Sequence, residues 1–437
     1  MAETNPASLP TGATASLHIA NFRWLWLGTV FSSAGQWMQQ VVIGWVVYDI
    51  TGSGTILGGV NGIRSVAMLG LGPFAGVFVD RVNIKRLMLA VSIFLMALSA
   101  GMALLIEFDL IEIWHLFAFM FIFGVAQVID NPLRSTLTFV LVPRALAPNA
   151  LALNTAAMSS TRALGPGAAG ALLPLIGASG TFFAQAGSYL FAAMTRYMIK
   201  FPPRERVTQR ASVLNSLREG ATFVVRSRYT RTFMLMGFIP PMLLIPVFTA
   251  LLPIYTKDVY GSGSGTLGLL VSAIGLGGLT GALFCASMGS FDRRGLLQLV
   301  ALLAFAAGLF GFSYTTSAWQ GVALMYVTGF AEQAYLLTNM TMLQLTVPNA
   351  LRGRVSSLQM LGFGLMPLGA LVAGVGSDFI GPQSITRVMA GAAGALGLLL
   401  LIVAPVVRNA RLSHMLQIHE ALNTEADAVN TARDAKL

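Results

Sequence analysis

Leu87-Met-Leu-Ala-Val-Ser-Ile-Phe-Leu-Met-Ala-Leu-Ser-Ala-Gly-Met-Ala-Leu-Leu-Ile106 runs twenty residues without a charge, bracketed by Lys85-Arg86 and Glu107. As a helix rising 1.5 Å per residue it covers about 30 Å, the hydrocarbon thickness of a bilayer. A membrane barrel strand would be only ~10 residues long and would alternate apolar with polar. This run does neither, so it reads as a transmembrane helix. Eleven further segments meet the same requirement, giving spans near 24–48, 56–79, 87–106, 114–138, 150–173, 180–199, 232–255, 266–289, 296–314, 319–346, 355–377 and 385–407. The expected fold is therefore an all-α integral membrane protein of twelve transmembrane helices.

Composition points the same way. Of 437 residues, 55% are hydrophobic and 10% charged, where a soluble domain carries about 25% charged residues. A soluble enzyme, a secreted disulfide scaffold and a disordered regulator are all disfavoured. The net charge of +10 raises nucleic acid as a partner, but its distribution answers that. With the N-terminus inside, twenty-one of the 27 Lys and Arg fall at inward sites. Only Lys257 and Arg387 fall outside, while Arg64, Arg134, Arg162 and Arg196 lie within spans. That is the positive-inside pattern, with both termini cytoplasmic. The first 20 residues lack the basic-then-apolar order of a signal peptide. The bilayer is the first partner, and nucleic acid is not expected.

The chain divides by a polar stretch into an N-terminal segment 1–22, a six-helix half 23–199, a linker 200–231, a second half 232–408 and a tail 409–437. Internal similarity supports two pseudo-repeats. Ser53-Gly54-Thr55 and Asp80-Arg81 bracket the second span as Ser264-Gly265-Thr266 and Asp292-Arg293 bracket the eighth, and Val142-Pro143 recurs as Val347-Pro348. Secondary transporters are built from such repeats. In the linker, Val213, Leu214, Leu217, Ala221, Val224 and Val225 oppose Arg218, Glu219 and Arg226. This spacing predicts an amphipathic helix on the inner membrane surface. The tail after Arg408 mixes charges and has no span, which predicts a solvent-exposed, partly disordered segment.

Gly76-Val-Phe-Val-Asp80-Arg81-Val-Asn83-Ile84-Lys85-Arg86 resembles the cytoplasmic loop signature of the major facilitator superfamily. Asn83 stands where that signature has Gly, and Asn tolerates the left-handed turn Gly would make. Ile84 replaces a cation. Tyr48-Asp49-Ile-Thr51-Gly52-Ser53, Asp130-Asn131-Pro132-Leu-Arg134 with Leu141-Val142-Pro143, and Leu351-Arg352-Gly353-Arg354-Val355 resemble the enterobactin-exporter-like, transmembrane secretion effector branch. The resemblance implies a gating charge network of Gly76, Asp80, Arg81, Lys85, Arg86, Asp130 and Arg134, in which Asp80 meets a helix N-terminus of the other half. Gly165-Pro166-Gly167 with Gly170 partly resembles the superfamily's antiporter motif, and Gly165-Pro166 predicts a helix bend.

A charge within a span is a functional candidate by default. Glu332 and Arg162 fall near mid-membrane and Arg64 in the outer half. Glu332, Tyr335 and Asn339 share one helical face, as do Asn154 and Arg162, and Gln36 with Gln40 gives the first span a polar stripe. These residues are expected to line a substrate cavity; interhelical ties are the alternative. An exporter driven by protons needs a carboxyl that changes protonation. No histidine sits mid-span, so Glu332 is the first candidate and Asp130 the second. The sequence has no P-loop, no zinc-protease motif and only one cysteine, Cys285. No cofactor, metal or catalytic group is expected. Gly263-Ser-Gly265-Thr-Leu-Gly268 matches a dinucleotide pattern but opens a membrane helix with no strand before it. The function read from these features is a secondary transporter of the cell inner membrane, monomeric, exporting a small hydrophobic or siderophore-like molecule in exchange for protons. An uptake symporter or a non-transporting sensor or scaffold on the same fold stands as the alternative.

Overall fold

The computed structural model describes residues 12–200, 213–289 and 291–434. Among them no strand occurs, and the helices follow the twelve expected segments: α1 (Ala20–Thr51), α2 (Gly54–Arg81), α3 (Ile84–Glu107), α4 (Ile113–Leu141) and α5 (Ala147–Met198), then α6 (Val213–Arg226) of the linker. There follow α7 (Arg228–Val259), α8 (Ser264–Ser287), α9 (Arg294–Phe312), α10 (Ala318–Leu345), α11 (Arg352–Gly362), α12 (Met366–Ile380), α13 (Pro382–Val403) and α14 (Leu412–Asp434). The fold is all-α and membrane-embedded. Seven of these, α3, α4, α5, α7, α8, α9 and α13, are apolar and long enough to cross a bilayer on hydropathy alone. α1 and α10 are as long but carry the polar stripes singled out above, and α2 carries Arg64.

Departures from ideal helix have local causes. At 52 residues, α5 would extend about 78 Å if straight, too long for one crossing. It breaks at Gly177, whose φ of 69° is costly for any side chain, so the fifth and sixth expected spans are joined there without a loop. α7 contains Pro240, Pro241, Pro246 and Pro253. Each removes a backbone donor, and the helix responds with wider π-type turns at Pro240–Leu244, Val247–Leu251 and Tyr255–Val259. The eleventh span is divided into α11 and α12 by a short 3₁₀ turn, Phe363–Leu365.

Two compact units result. One comprises Met1–Thr51, Val66–Thr208 and Gly263–Ser272. In it α1 packs along α5, and Phe119, Phe123, Phe182 and Tyr189 form a buried ring cluster with centroids 5.6–6.5 Å apart. The other comprises Gly52–Ser65, Gln209–Ser262 and Ala273–Leu437. There α9 packs on α10 and α13, and the Tyr255 ring lies 4.5 Å from Phe312 while its hydroxyl reaches Thr386 Oγ1 at 3.1 Å. The linker residues 201–212 lie outside the described residues. α6 follows the predicted amphipathic segment. Its Gly220 is buried against Arg354 of α11, and Glu219 pairs with the same arginine.

The tail corrects the sequence expectation, for through Asp434 it is a 23-residue helix docked on the second unit. Leu412 N–H donates to the Asp292 carbonyl at 2.7 Å and Ser413 N–H to Asp292 Oδ1 at 2.9 Å, capping the helix start. Met415 is fully buried, and Leu412, Ile418, His419, Leu422 and Asn423 are half-buried. Mean composition hid this narrow stripe at helical spacing. Farther along, Asn349 N–H donates to Asn423 Oδ1 at 2.8 Å, while Arg352 Nη2 and Asn423 Nδ2 lie 2.8 and 2.9 Å from His419 Nε2.

Both of those neighbours have only protons to offer, so His419 Nε2 accepts and the docked ring is neutral. Burial, then the Arg352 guanidinium, holds the His419 pKa below its ordinary value. An undocked imidazole, with pKa near ~6.5, takes up the proton first. Docking is therefore complete above about pH 6.5 and weakens as pH falls below it. Asp292, held below the usual carboxylate range chiefly by the Ser413 N–H, stays charged through that window. A nitroxide at exposed Glu420 should gain mobility between pH 7.5 and 5.5, and His419→Gln should remove the transition. Equal mobility at both pH values in the wild type would contradict this account.

Candidate functional site

Two arginines buried in the helices of the first unit converge on one carboxylate. Spacings of three and four put Gln127, Asp130 and Arg134 on one face of α4, and all three are buried. Arg134 Nε lies 3.2 Å from Asp130 Oδ2, and its Nη1 donates to Ser33 Oγ of α1 at 3.1 Å. Arg196, near the end of α5, has Nη1 2.9 Å from Asp130 Oδ1 and donates from Nη2 to Oδ2 at 3.3 Å. Its Nη1 also donates to Ser92 Oγ at 2.5 Å and the Met88 carbonyl at 3.3 Å, both on α3. Asp130 and its two arginines thereby join α1, α3, α4 and α5. Burying an ion costs several kcal/mol unless it is paired and hydrogen-bonded, and here the partners come from separate helices.

Sequence reading found Asp130 and Arg134 but assigned Arg196 no role. Its position inside a span was the available signal. Its partner was not legible, because nothing local says that the sixth span ends beside the fourth.

At the end of α2, the side chains of Gly76, Asp80 and Arg81 lie outside the described residues. Lys85 Nζ donates to the Ile199 carbonyl at 2.9 Å and sits 5.4 Å from the Tyr197 ring centroid. Arg86 is exposed. Asn83 is not left-handed: at φ −65° and ψ 111° it is the N-cap of α3, its Oδ1 accepting from Arg86 N–H. Asn caps a helix as readily as it turns a chain, and the structure uses the cap.

The remaining candidates separate by unit. In the first, Gln36 and Gln40 are half-buried on α1. Gln39, which the sequence reading passed over, is fully buried with Nε2 2.9 Å from Met120 Sδ. Asn154 Nδ2 donates to Thr138 Oγ1 at 2.6 Å, tying α5 to α4. The Arg162 guanidinium lies 5.6 Å from the Trp37 ring centroid, within cation–π range. α5 runs through Pro166 with helical backbone angles. Gly165 backs onto Trp37, and a Cβ on Gly170 would stand 2.6 Å from the Gly268 Cα, so the fifth span and the start of α8 meet backbone to backbone.

In the second unit Glu332, Tyr335 and Asn339 share a buried face of α10 as their spacing predicts. Tyr335 donates to the Met236 carbonyl at 2.7 Å and Asn339 Nδ2 to the Phe233 carbonyl at 3.0 Å. The first bond has a clear origin. Met236 would ordinarily accept from residue 240, which is proline and has no N–H. In hydrocarbon that carbonyl needs another donor, and the Tyr335 hydroxyl supplies one. Arg64 is half-buried on the part of α2 that belongs to this unit. Among the described residues no group of three or more His, Cys, Asp or Glu is placed to hold a metal ion.

The comparison that decides the family covers nearly the whole chain: the model of the transmembrane secretion effectors matches residues 11–432. The chain belongs to that family. The proteins to which it is similar are transporters. The staphyloferrin A transporter of Staphylococcus aureus is 24% identical over 355 residues, covering 79% of this chain and 87% of that protein. The multidrug efflux pump Tap of Mycolicibacterium fortuitum is 26% identical over 224 residues, covering 50% and 54%. The enterobactin exporter EntS of Escherichia coli is 29% identical over 180 residues, covering 40% and 41%. Among solved structures, a bacterial homologue of the human lysosomal transporter Spinster superposes with a TM-score of 0.69 at 14% identity, covering 92% of this chain and 98% of that one. The nucleoside transporter NupG gives 0.68 at 15%, covering 88% and 99%. These share the major facilitator fold. The protein is a multi-pass membrane transporter for small molecules, not an enzyme.

Removing one partner of a buried ion pair costs about 3–5 kcal/mol. Arg196→Gln should therefore lower the melting temperature in detergent by several degrees, and Arg196→Lys should recover part of the loss. An unchanged melting temperature for Arg196→Gln would show that the cluster carries no structural load.

Proposed function

We propose that the protein is a proton-coupled exporter of a small hydrophobic or siderophore-like molecule, acting in the cell inner membrane with both termini in the cytoplasm. The observation that carries this reading is the family match over nearly the full chain, together with the likeness to a multidrug efflux pump and an enterobactin exporter. The orientation rests on the charge sorting: with both ends inside, cations gather on one side and are nearly absent from the other. The two six-helix repeats rock between inward and outward access around the substrate.

Residue roles follow from what each side chain touches. Asp130 is committed to Arg134 and Arg196, which suits it to gating and structure rather than to carrying a proton. Glu332, buried near the middle of α10, is the proton carrier in this reading. Arg162, Arg64, Gln36 and Gln40 are half-buried and suit contact with a ligand. Tyr335, Asn339 and Asn154 have hydrogen bonds of their own and hold the polar faces in place.

In cells expressing the protein, Glu332→Gln should cut protonophore-sensitive efflux of a lipophilic dye cation such as ethidium by tenfold or more. Glu332→Asp should retain part of it. Wild-type efflux by Glu332→Gln at an equal amount of membrane protein would remove Glu332 from the coupling step.

A further inference from the structure

The second unit contains a carboxylate that the transport reading does not use. Asp378 sits near the end of α12, 324 residues from the start of α2, yet it caps that helix. Its Oδ1 accepts from Gly54 N–H at 2.7 Å, and its Oδ2 accepts from Thr55 N–H and Ser53 Oγ–H, both at 2.9 Å. These are among the donors that a helix start cannot satisfy by itself, at the positive end of the helix dipole. Below this cap the two helices are in backbone contact. A Cβ on Gly54 would stand 2.7 Å from the Gly374 carbonyl oxygen, one on Gly58 would strike the Ala370 carbonyl, and one on Gly374 would strike the Gly54 carbonyl. Asn61 Nδ2 donates to the Thr249 carbonyl at 3.1 Å. Ala370, whose carbonyl meets Gly58 in this seam, is buried.

The repeat makes the cap more informative. Ser264-Gly265-Thr266 is the counterpart of Ser53-Gly54-Thr55, and α8 begins there against Gly170. Among the described residues its start receives no such carboxylate; Thr266 N–H donates to the Gly263 carbonyl at 3.0 Å instead. The seam of α2 with α12 is therefore the charged one of two otherwise similar glycine seams.

We propose that Asp378 is the latch of the outward gate: its carboxylate on the α2 N-terminus holds the second and eleventh spans together at their outward ends, and this bond breaks when the transporter opens outward. The proposal rests on the alternating-access reading for its meaning but not for its measurement. Asp378 is already exposed, so water replaces the lost bonds as soon as the carboxylate lets go of the three donors. The latch can therefore tune the balance of states without trapping one of them.

The test is accessibility. In a Cys285→Ser, Ala370→Cys background, which puts the thiol in the seam, labelling is done from outside with a membrane-impermeant maleimide, so no substrate is needed. Asp378→Asn should raise the labelling rate about tenfold, the effect of losing charge-assisted bonds worth one decade in the equilibrium. Gly374→Val, which wedges the seam, should raise it at least as far and calibrates the open state. If Asp378→Asn does not reach the membrane folded, Ser53→Ala removes one of the three contacts and should raise the rate about threefold. A labelling rate equal to that of the parent in Asp378→Asn, or in Ser53→Ala where that variant must stand in, while Gly374→Val is raised, overturns the latch. Absence of transport in the wild type would instead count against the transport reading and leave the labelling result legible.

Discussion

Asp130 binds two arginines where no water shell is at hand to replace either partner. The free energy of a charge in hydrocarbon is so unfavourable that its counter-ions must arrive with the fold. Ser33, Ser92, Arg134 and Arg196 come from α1, α3, α4 and α5, so one carboxylate and its two arginines tie four helices of the first unit together. The lipid-facing residues around them are interchangeable apolar filling. This cluster cannot be filled so freely, and with the Asn154–Thr138 bond it sets the mutual register of the helices.

Much of this was legible in the sequence because a bilayer narrows the choices. Helix lengths follow from hydrocarbon thickness, and the i, i+4 relation of Asp130 and Arg134 follows from helical geometry. The polar face of α10 was equally plain. What the sequence could not supply was the partner on another helix. Arg196 lies 66 residues from Asp130. Tyr335 meets a carbonyl that is free only because Pro240, four residues after Met236, lacks a donor. The docked tail escaped for a different reason: its buried stripe is narrow, and average polarity is a poor guide to a helix that touches its support along one edge.

The same logic connects the cluster to the ends of the helices. In the resemblance that places Asp80 in the gating network, an acid at the end of the second span meets a helix N-terminus of the other half. Asp378 makes the reciprocal arrangement, from the end of the eleventh span to the start of the second. In the proposed latch the glycine contacts supply close approach and the Asp378 carboxylate supplies the bias toward one access state. That bond need not be strong. A transporter that cycles requires states within a few kcal/mol of one another.

In the proposed reading these charges serve movement of a solute coupled to protons. Its most direct measurement is flux through the purified wild-type protein in sealed vesicles with an imposed pH difference, using a lipophilic dye cation, a catecholate siderophore and a citrate-based siderophore as probes. A proton-coupled transporter takes up at least one probe against its concentration gradient and loses that uptake when a protonophore collapses the pH difference. Folded protein that moves none of the three in a gradient-dependent way would contradict it.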